Sequence, residues 1–154
     1  MKDHGSFLAA MAELPELRAV LIGIGTERLP EAANLLRLGR RRDVARLLAA
    51  ADFVASSSRF GEGFSNTLAE GMACGLPAIA TDVGDAKLIV GDSGLIVPPG
   101  DAPALAAAIR SLSREPAPAC AERAARARRR IVEGFALTAA IRRYRELYAL
   151  LGSS

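Results

Sequence analysis

The chain has 154 residues, 51% of them hydrophobic, which suits one domain with a proper core and would cramp two. Two cysteines without metal-ligand spacing and a single histidine weigh against a protein-built metal centre and against a disulfide scaffold. No apolar run reaches the roughly 18–20 residues that cross a bilayer. The opening MKDHGSFLAA lacks the apolar core of a signal peptide, so the expected location is the cytoplasm, with room for peripheral contact at the inner face of the membrane.

Apolar residues at Phe7, Leu8, Met11 and Leu14 recur at helical spacing and predict a first helix. LRAVLIG, residues 17–23, is a short branched run ending on glycine and reads as a buried strand, and NLLRLG, 34–39, as a second. The link between them is short for a parallel crossover and contains a proline, which leaves room for a turn or two of helix at most. RDVARLLAAA, 42–51, predicts a helix, and DFVASSS, 52–58, a strand that dissolves into serines. NTLAEGMACG predicts a short helix closed by Gly75, with Pro77 barring its continuation. LPAIATD and GLIVPP read as further strands, with a helical turn at DAKLIV between them. Asp101 is placed to cap a helix that carries Pro103 in its first turn, and two more helices are predicted near 118–133 and 136–151.

Strands alternating with helices imply an α/β fold, a Rossmann-like open parallel sheet covered on both faces. Ligands of such sheets bind beyond the C-terminal ends of the strands. The stretch SSRFGEGFSNTLAEGMACG, 57–75, lies at one of those ends and brackets a helix start with Glu62 and Glu70. A helix N-terminus presents unpaired N–H groups and partial positive charge, and is a ready anion site. Gly61 and Gly63 relieve the approach of Cβ bulk. Glu70 stands roughly 7 Å along the helix axis from its start, so an anion on the amides of Phe64 to Thr67 would have a carboxylate on either side. The same residues admit a plainer reading. Thr67 and Glu70 fit a capping box, and Glu62 fits a solvated loop acid.

Arginine is clustered at 40–42 and again from Arg123 to Arg130. Such clusters bind phosphate, nucleic acid or anionic lipid, or serve as a solvated helix face, and the solvated face is the expectation. Cys74 is expected in the core of its small-residue helix, and His4 on the surface.

The segment EGFSNTLAEGMACGLPAIATDVG resembles the signature of retaining GT-B glycosyltransferases of the family 4 type: a Glu, a Gly-Phe pair, a second Glu, a small-residue helix, Gly-x-Pro and a strand. KDHGSFLAAMAEL, RRRDVARLLAAADFVASSS and GDSGLIVPPGDAPALAAAI resemble the family's other segments and come in the family order. The resemblance implies a single domain over 1–154, the C-terminal half that binds a nucleotide-diphosphate sugar, with 116–154 as its C-terminal helices. It implies that Glu62, as the catalytic residue, accepts hydrogen bonds from donor-sugar hydroxyls, and that Glu70 holds the ribose. It implies that Gly61 and Gly63 shape the loop, that the amides of Phe64, Ser65 and Asn66 bind the diphosphate with help from Lys2, and that backbone at Arg42 and Asp43 borders the base. No metal or other cofactor is expected, because helix dipole and cation neutralise the leaving group.

Two departures from the family pattern carry expectations. The N-terminal acceptor domain is absent, so the isolated chain should bind donor and transfer nothing. The family's first strand, ahead of Lys2, is also absent. Either the strands at 19–23 and 52–56 pair directly or another segment fills the gap, and an unfilled edge favours self-association. The alternative function is a non-catalytic remnant or an anion- or nucleic-acid-binding module using the arginines. It lacks an aromatic platform for bases, and no nucleic-acid partner is expected.

Overall fold

The computed structural model describes residues 2–152. In chain order the elements are α1 (His4–Ala12), β1 (Ala19–Ile22), β2 (Leu35–Gly39), α2 (Val44–Leu48), β3 (Val54–Ser56), α3 (Asn66–Ala73), β4 (Ala78–Thr81), α4 (Ala86–Val90), β5 (Gly94–Val97), α5 (Ala102–Ser113), α6 (Ala117–Gly134) and α7 (Leu137–Gly152). A 3-10 turn at Thr26–Arg28 supplies the short link from β1 to β2, which pair in parallel. The helix expected over 42–51 contracts to Val44–Leu48.

Strand pairing is parallel throughout the named strands, but it divides into two sheets, β1-β2 and β3-β4-β5. The strands at 19–23 and 52–56 therefore do not pair directly. Each is an end strand of its own sheet. The two sheets are held by helices instead. The Asn34 side chain donates to the carbonyls of Met11 and Leu14 at the end of α1, at 2.9 and 3.1 Å. Met11 and Leu14 in turn join Ala19, Ile79, Val97, Leu105, Ile109 and Leu112 in one core cluster. On the other face Val54, Leu68, Met72, Ile89, Val90 and Ile131 form a second cluster. Strand β4 is buried along its whole length and serves both, because alternate side chains point to opposite faces.

Two predicted helix boundaries have the physical cause expected of them. The Asp101 carboxylate accepts from the Ala104 N–H at 2.8 Å, and Gly75, at φ +84°, ends α3 in the left-handed region. Packing of α3 on β3 is close. A Cβ at Gly71 would lie 2.7 Å from Val54 Cγ1, and valine is too stiff to turn away. Gly71→Ala is accordingly expected to cost about 1–3 kcal/mol. Urea denaturation checks this, and an unchanged midpoint would contradict so tight a contact.

The arginines of α6 are more than a solvated face. Arg130 donates to the carbonyls of Ile89 and Leu88 at 2.9 and 2.6 Å, and Arg128 donates to the carbonyl of Ala73. Both thereby satisfy orphan carbonyls at the C-terminal ends of α4 and α3. Arg123 pairs with Glu115 at 2.7 Å. Cys74 is exposed, not in the core, because it caps the end of α3 where the chain turns outward. Helix α7 buries only Ala139, and Leu137, Ile141, Tyr144, Tyr148 and Leu151 are exposed along it at alternating spacings of four and three. No helix among the described residues is long and apolar enough to cross a membrane.

Candidate functional site

Strand β3 ends at Ser56 and the chain runs through a loop to Asn66, the first residue of α3. The N-terminal strand-like residues come back to this loop. Lys2 forms an antiparallel bridge with Ser58, and the Ser57 hydroxyl donates to the Asp3 carbonyl at 3.0 Å. That docking brings the Lys2 ammonium to 2.8 Å from Glu62 Oε1, while the Ser58 hydroxyl donates to Glu62 Oε2 at 2.7 Å. Lys2 and Glu62, sixty residues apart in sequence, are thus brought together. Burial pushes the Glu62 carboxyl up. The hydrogen bonds from Lys2 and Ser58, the lysine charge and the nearby Ser65 hydroxyl outweigh it and hold the group below its ordinary 4.5.

That depression fixes a pH dependence. The stabilisation that Glu62 contributes is fully present above pH 4.5 and is lost as pH falls through the lower folded-state value. Lys2 is 43% exposed, so solvent screening keeps the pair to less than about 1 kcal/mol. Stability curves of the wild type and Glu62→Gln should converge as the medium is made more acid than pH 4.5. A gap that persists unchanged at low pH would contradict the pairing.

Behind Glu62 the start of α3 is bare. Ser65 is the N-cap, yet its side chain caps nothing. It is 1% exposed, and its hydroxyl makes no hydrogen bond of normal geometry. Among the described residues no carbonyl or side chain takes the N–H groups of Phe64, Ser65, Asn66 or Thr67. By contrast α1 is capped by Asp3, whose carboxylate accepts from the Ser6 amide at 3.1 Å. The Phe64 ring packs on Phe135 with centroids 5.5 Å apart, which anchors the loop to the end of α6. Gly61 takes φ +69°, so the loop turns there as only glycine does readily. Gly63 differs. Its φ is ordinary, and an added Cβ would meet nothing within 4 Å, so no feature of this fold requires glycine there.

Glu70 lies exposed on α3, and its carboxylate makes no hydrogen bond or ion pair among the described residues. The capping box suggested by Thr67 and Glu70 is therefore not formed, because the N-cap is Ser65 and the helix starts two residues earlier than that motif requires. Asn66 is exposed in the first turn. Arg42 and Asp43 stand apart from this loop in sequence, at the start of α2, where Asp43 is the N-cap and pairs through both oxygens with Arg41 at 2.8 Å. The sequence reading passed over Ser58, Thr81 and Gly84. The signal for the last two was the motif TDVG at the end of a strand, where an α/β sheet gathers its functional loops.

Residues 1–115 match the family described as glycosyl transferases group 1. The chain belongs to that family. It is 33% identical over 125 residues to the exopolysaccharide phosphotransferase SCO2592 of Streptomyces coelicolor, a match over 71% of this chain and 13% of that protein. To EpsD of Bacillus subtilis, which carries a glycosyltransferase name, it is 35% identical over 116 residues, 68% of this chain and 30% of the relative. The structure of Anabaena Alr3699/HepE in complex with UDP and glucose superposes with a TM-score of 0.83 at 27% identity, over 96% of this chain and 45% of that one. This group 1 member therefore has the α/β fold of its GT-B relatives and spans less than half the length of each of these three.

Proposed function

We propose that this chain is the donor-binding half of a retaining glycosyltransferase and grips a nucleotide-diphosphate sugar at the β3–α3 loop. The observation that carries the reading is the uncapped α3 start, four amides and a buried unpaired hydroxyl, standing directly behind a carboxylate that Lys2 and Ser58 hold in place. The diphosphate docks on the amides of Phe64, Ser65 and Asn66, where dipole and N–H groups favour negative charge. Gly63 leaves the backbone open to it. Lys2 is shared between Glu62 and the phosphate oxygens, so that charge developing on the leaving group meets a cation already in place without a metal ion. Glu62 keeps lone pairs for sugar hydroxyls, Glu70 accepts from the ribose, and backbone at Arg42 and Asp43 borders the base. HepE, solved with UDP and glucose, is consistent with a ligand of this class.

Transfer to an acceptor then needs a second domain, and the exposed stripe of α7 and the open edges of β1 and β3 offer it surfaces. Without it those edges favour self-association. The arginines give little support to a nucleic-acid reading, because Arg123, Arg128 and Arg130 are engaged within the fold. A calorimetric panel of nucleoside diphosphates and nucleotide sugars tests the proposal. Saturable binding is expected for both classes, with no turnover by the isolated chain. Steeply salt-dependent binding to duplex DNA with no nucleotide binding would replace this reading with the other.

A further inference from the structure

We propose that the turn joining β4 to α4, through Thr81 and Gly84, is the device that aims the Glu62 carboxylate. This assigns positioning residues outside the loop itself, and its consequence for sugar binding rests on the donor-binding reading above.

Glu62 is held at both ends. Its carboxylate is fixed by Lys2 and by the Ser58 hydroxyl. The Ser58 backbone is fixed in turn by Thr81, a buried residue at the end of β4 whose hydroxyl donates to the Ser58 carbonyl. The main chain of Glu62 rests on Gly84. At φ +57° Gly84 lies so close that an added Cβ would stand 2.0 Å from the Glu62 carbonyl oxygen, 2.8 Å from its carbonyl carbon and 2.9 Å from the Gly63 oxygen. The next residue, Asp85, donates its N–H to the Gly63 carbonyl at 3.4 Å. The segment from Thr81 to Asp85 therefore meets the acid-bearing loop at three points, Ser58, Glu62 and Gly63.

The contact at Gly84 is backbone on backbone, and no rotamer change can relieve it. To restore a 3.0 Å separation the Glu62 carbonyl would have to retreat by about 1 Å. Misplacement on that scale is enough to cost on the order of 100-fold where geometry is used. Gly91 gives the comparison within the same chain. It is also left-handed, at φ +55°, but a Cβ there meets the Arg130 guanidinium, far from Glu62 in its contacts.

The experiment compares Gly84→Ala with Gly91→Ala in the full chain. It reads the Glu62 carboxyl by NMR titration and the affinities for UDP and for UDP-glucose as probes. Gly84→Ala is expected to raise the Glu62 pKa toward 4.5 as the Lys2 and Ser58 contacts loosen. It is also expected to lower the UDP-glucose to UDP affinity ratio at least about 10-fold, a loss of roughly 1.4 kcal/mol. Gly91→Ala is expected to lose thermal stability and leave the Glu62 pKa in place. Folded Gly84→Ala with an unshifted Glu62 overturns the proposal. If Gly84→Ala does not fold, Thr81→Val decides. A raised Glu62 pKa, restored by Thr81→Ser, supports the proposal, and no shift overturns it. Should the pKa respond while the wild type shows no preference for UDP-glucose over UDP, the aiming device stands and the sugar-donor reading falls for that donor.

Discussion

Glu70→Ala is expected to weaken nucleotide binding on the order of 100-fold while leaving the fold as stable as before. The magnitude follows from a carboxylate accepting two ribose hydroxyls, each bond to a charged group being worth about 1.5–3 kcal/mol before exposure to water reduces it. The stability half follows from the structure. Glu70 is exposed, its carboxylate makes no hydrogen bond or ion pair among the described residues, and it sits where alanine is a good helix former. Most helix-surface substitutions of that kind stay within about 0.5 kcal/mol. Calorimetric titration beside a melting curve separates the two quantities. Superimposable titrations of variant and wild type would remove the ribose role.

Glu62→Ala is expected to act differently. Affinity for the bare nucleotide should stay within about 2-fold, and the extra affinity conferred by the sugar should fall at least about 10-fold. The reason is the division of labour along the loop. The diphosphate is held by the α3 amides, which do not depend on the Glu62 side chain, whereas sugar hydroxyls need an acceptor fixed in space. Glu62 is fixed by Lys2 at 2.8 Å and Ser58 at 2.7 Å. Release of Lys2 costs little, since its ammonium is already 43% exposed. Paired titrations of each variant with a nucleoside diphosphate and its sugar conjugate read the effect. Equal losses for both ligands would mean that Glu62 supports the loop and does not read the sugar.

Much of the fold was legible because local chemistry decided it. Pro77 and Gly75 end α3, Asp101 starts α5, and the alternation of apolar runs with helical patterns gives a parallel α/β architecture. The place of the candidate site, at a helix start after a strand, was legible for the same reason. Glu62, Ser65 and Glu70 are spaced around a helix start, and strand-end loops are where such sheets bind ligands. What escaped the sequence lies in tertiary contacts. Nothing local announces that Arg128 and Arg130 reach the ends of α3 and α4, so the cluster read as a solvated face. The helix pattern over 42–51 overran its real extent because alanines carry no stop signal. Cys74 looked like core because its helix is made of small residues, but it falls on the terminal turn. Thr81 and Gly84 went unassigned because their partners, the Ser58 carbonyl for Thr81 and the Glu62–Gly63 backbone for Gly84, are more than twenty residues away in sequence.

The donor-binding reading turns on a diphosphate seated against the α3 N-terminus. An amide-resolved NMR titration of the chain with UDP tests this most directly. The amides of Phe64, Ser65 and Asn66 should shift together along one saturating curve, with those of α7 unmoved. If UDP saturates the protein while these three amides stay still and others move, the ligand sits elsewhere and the account is wrong.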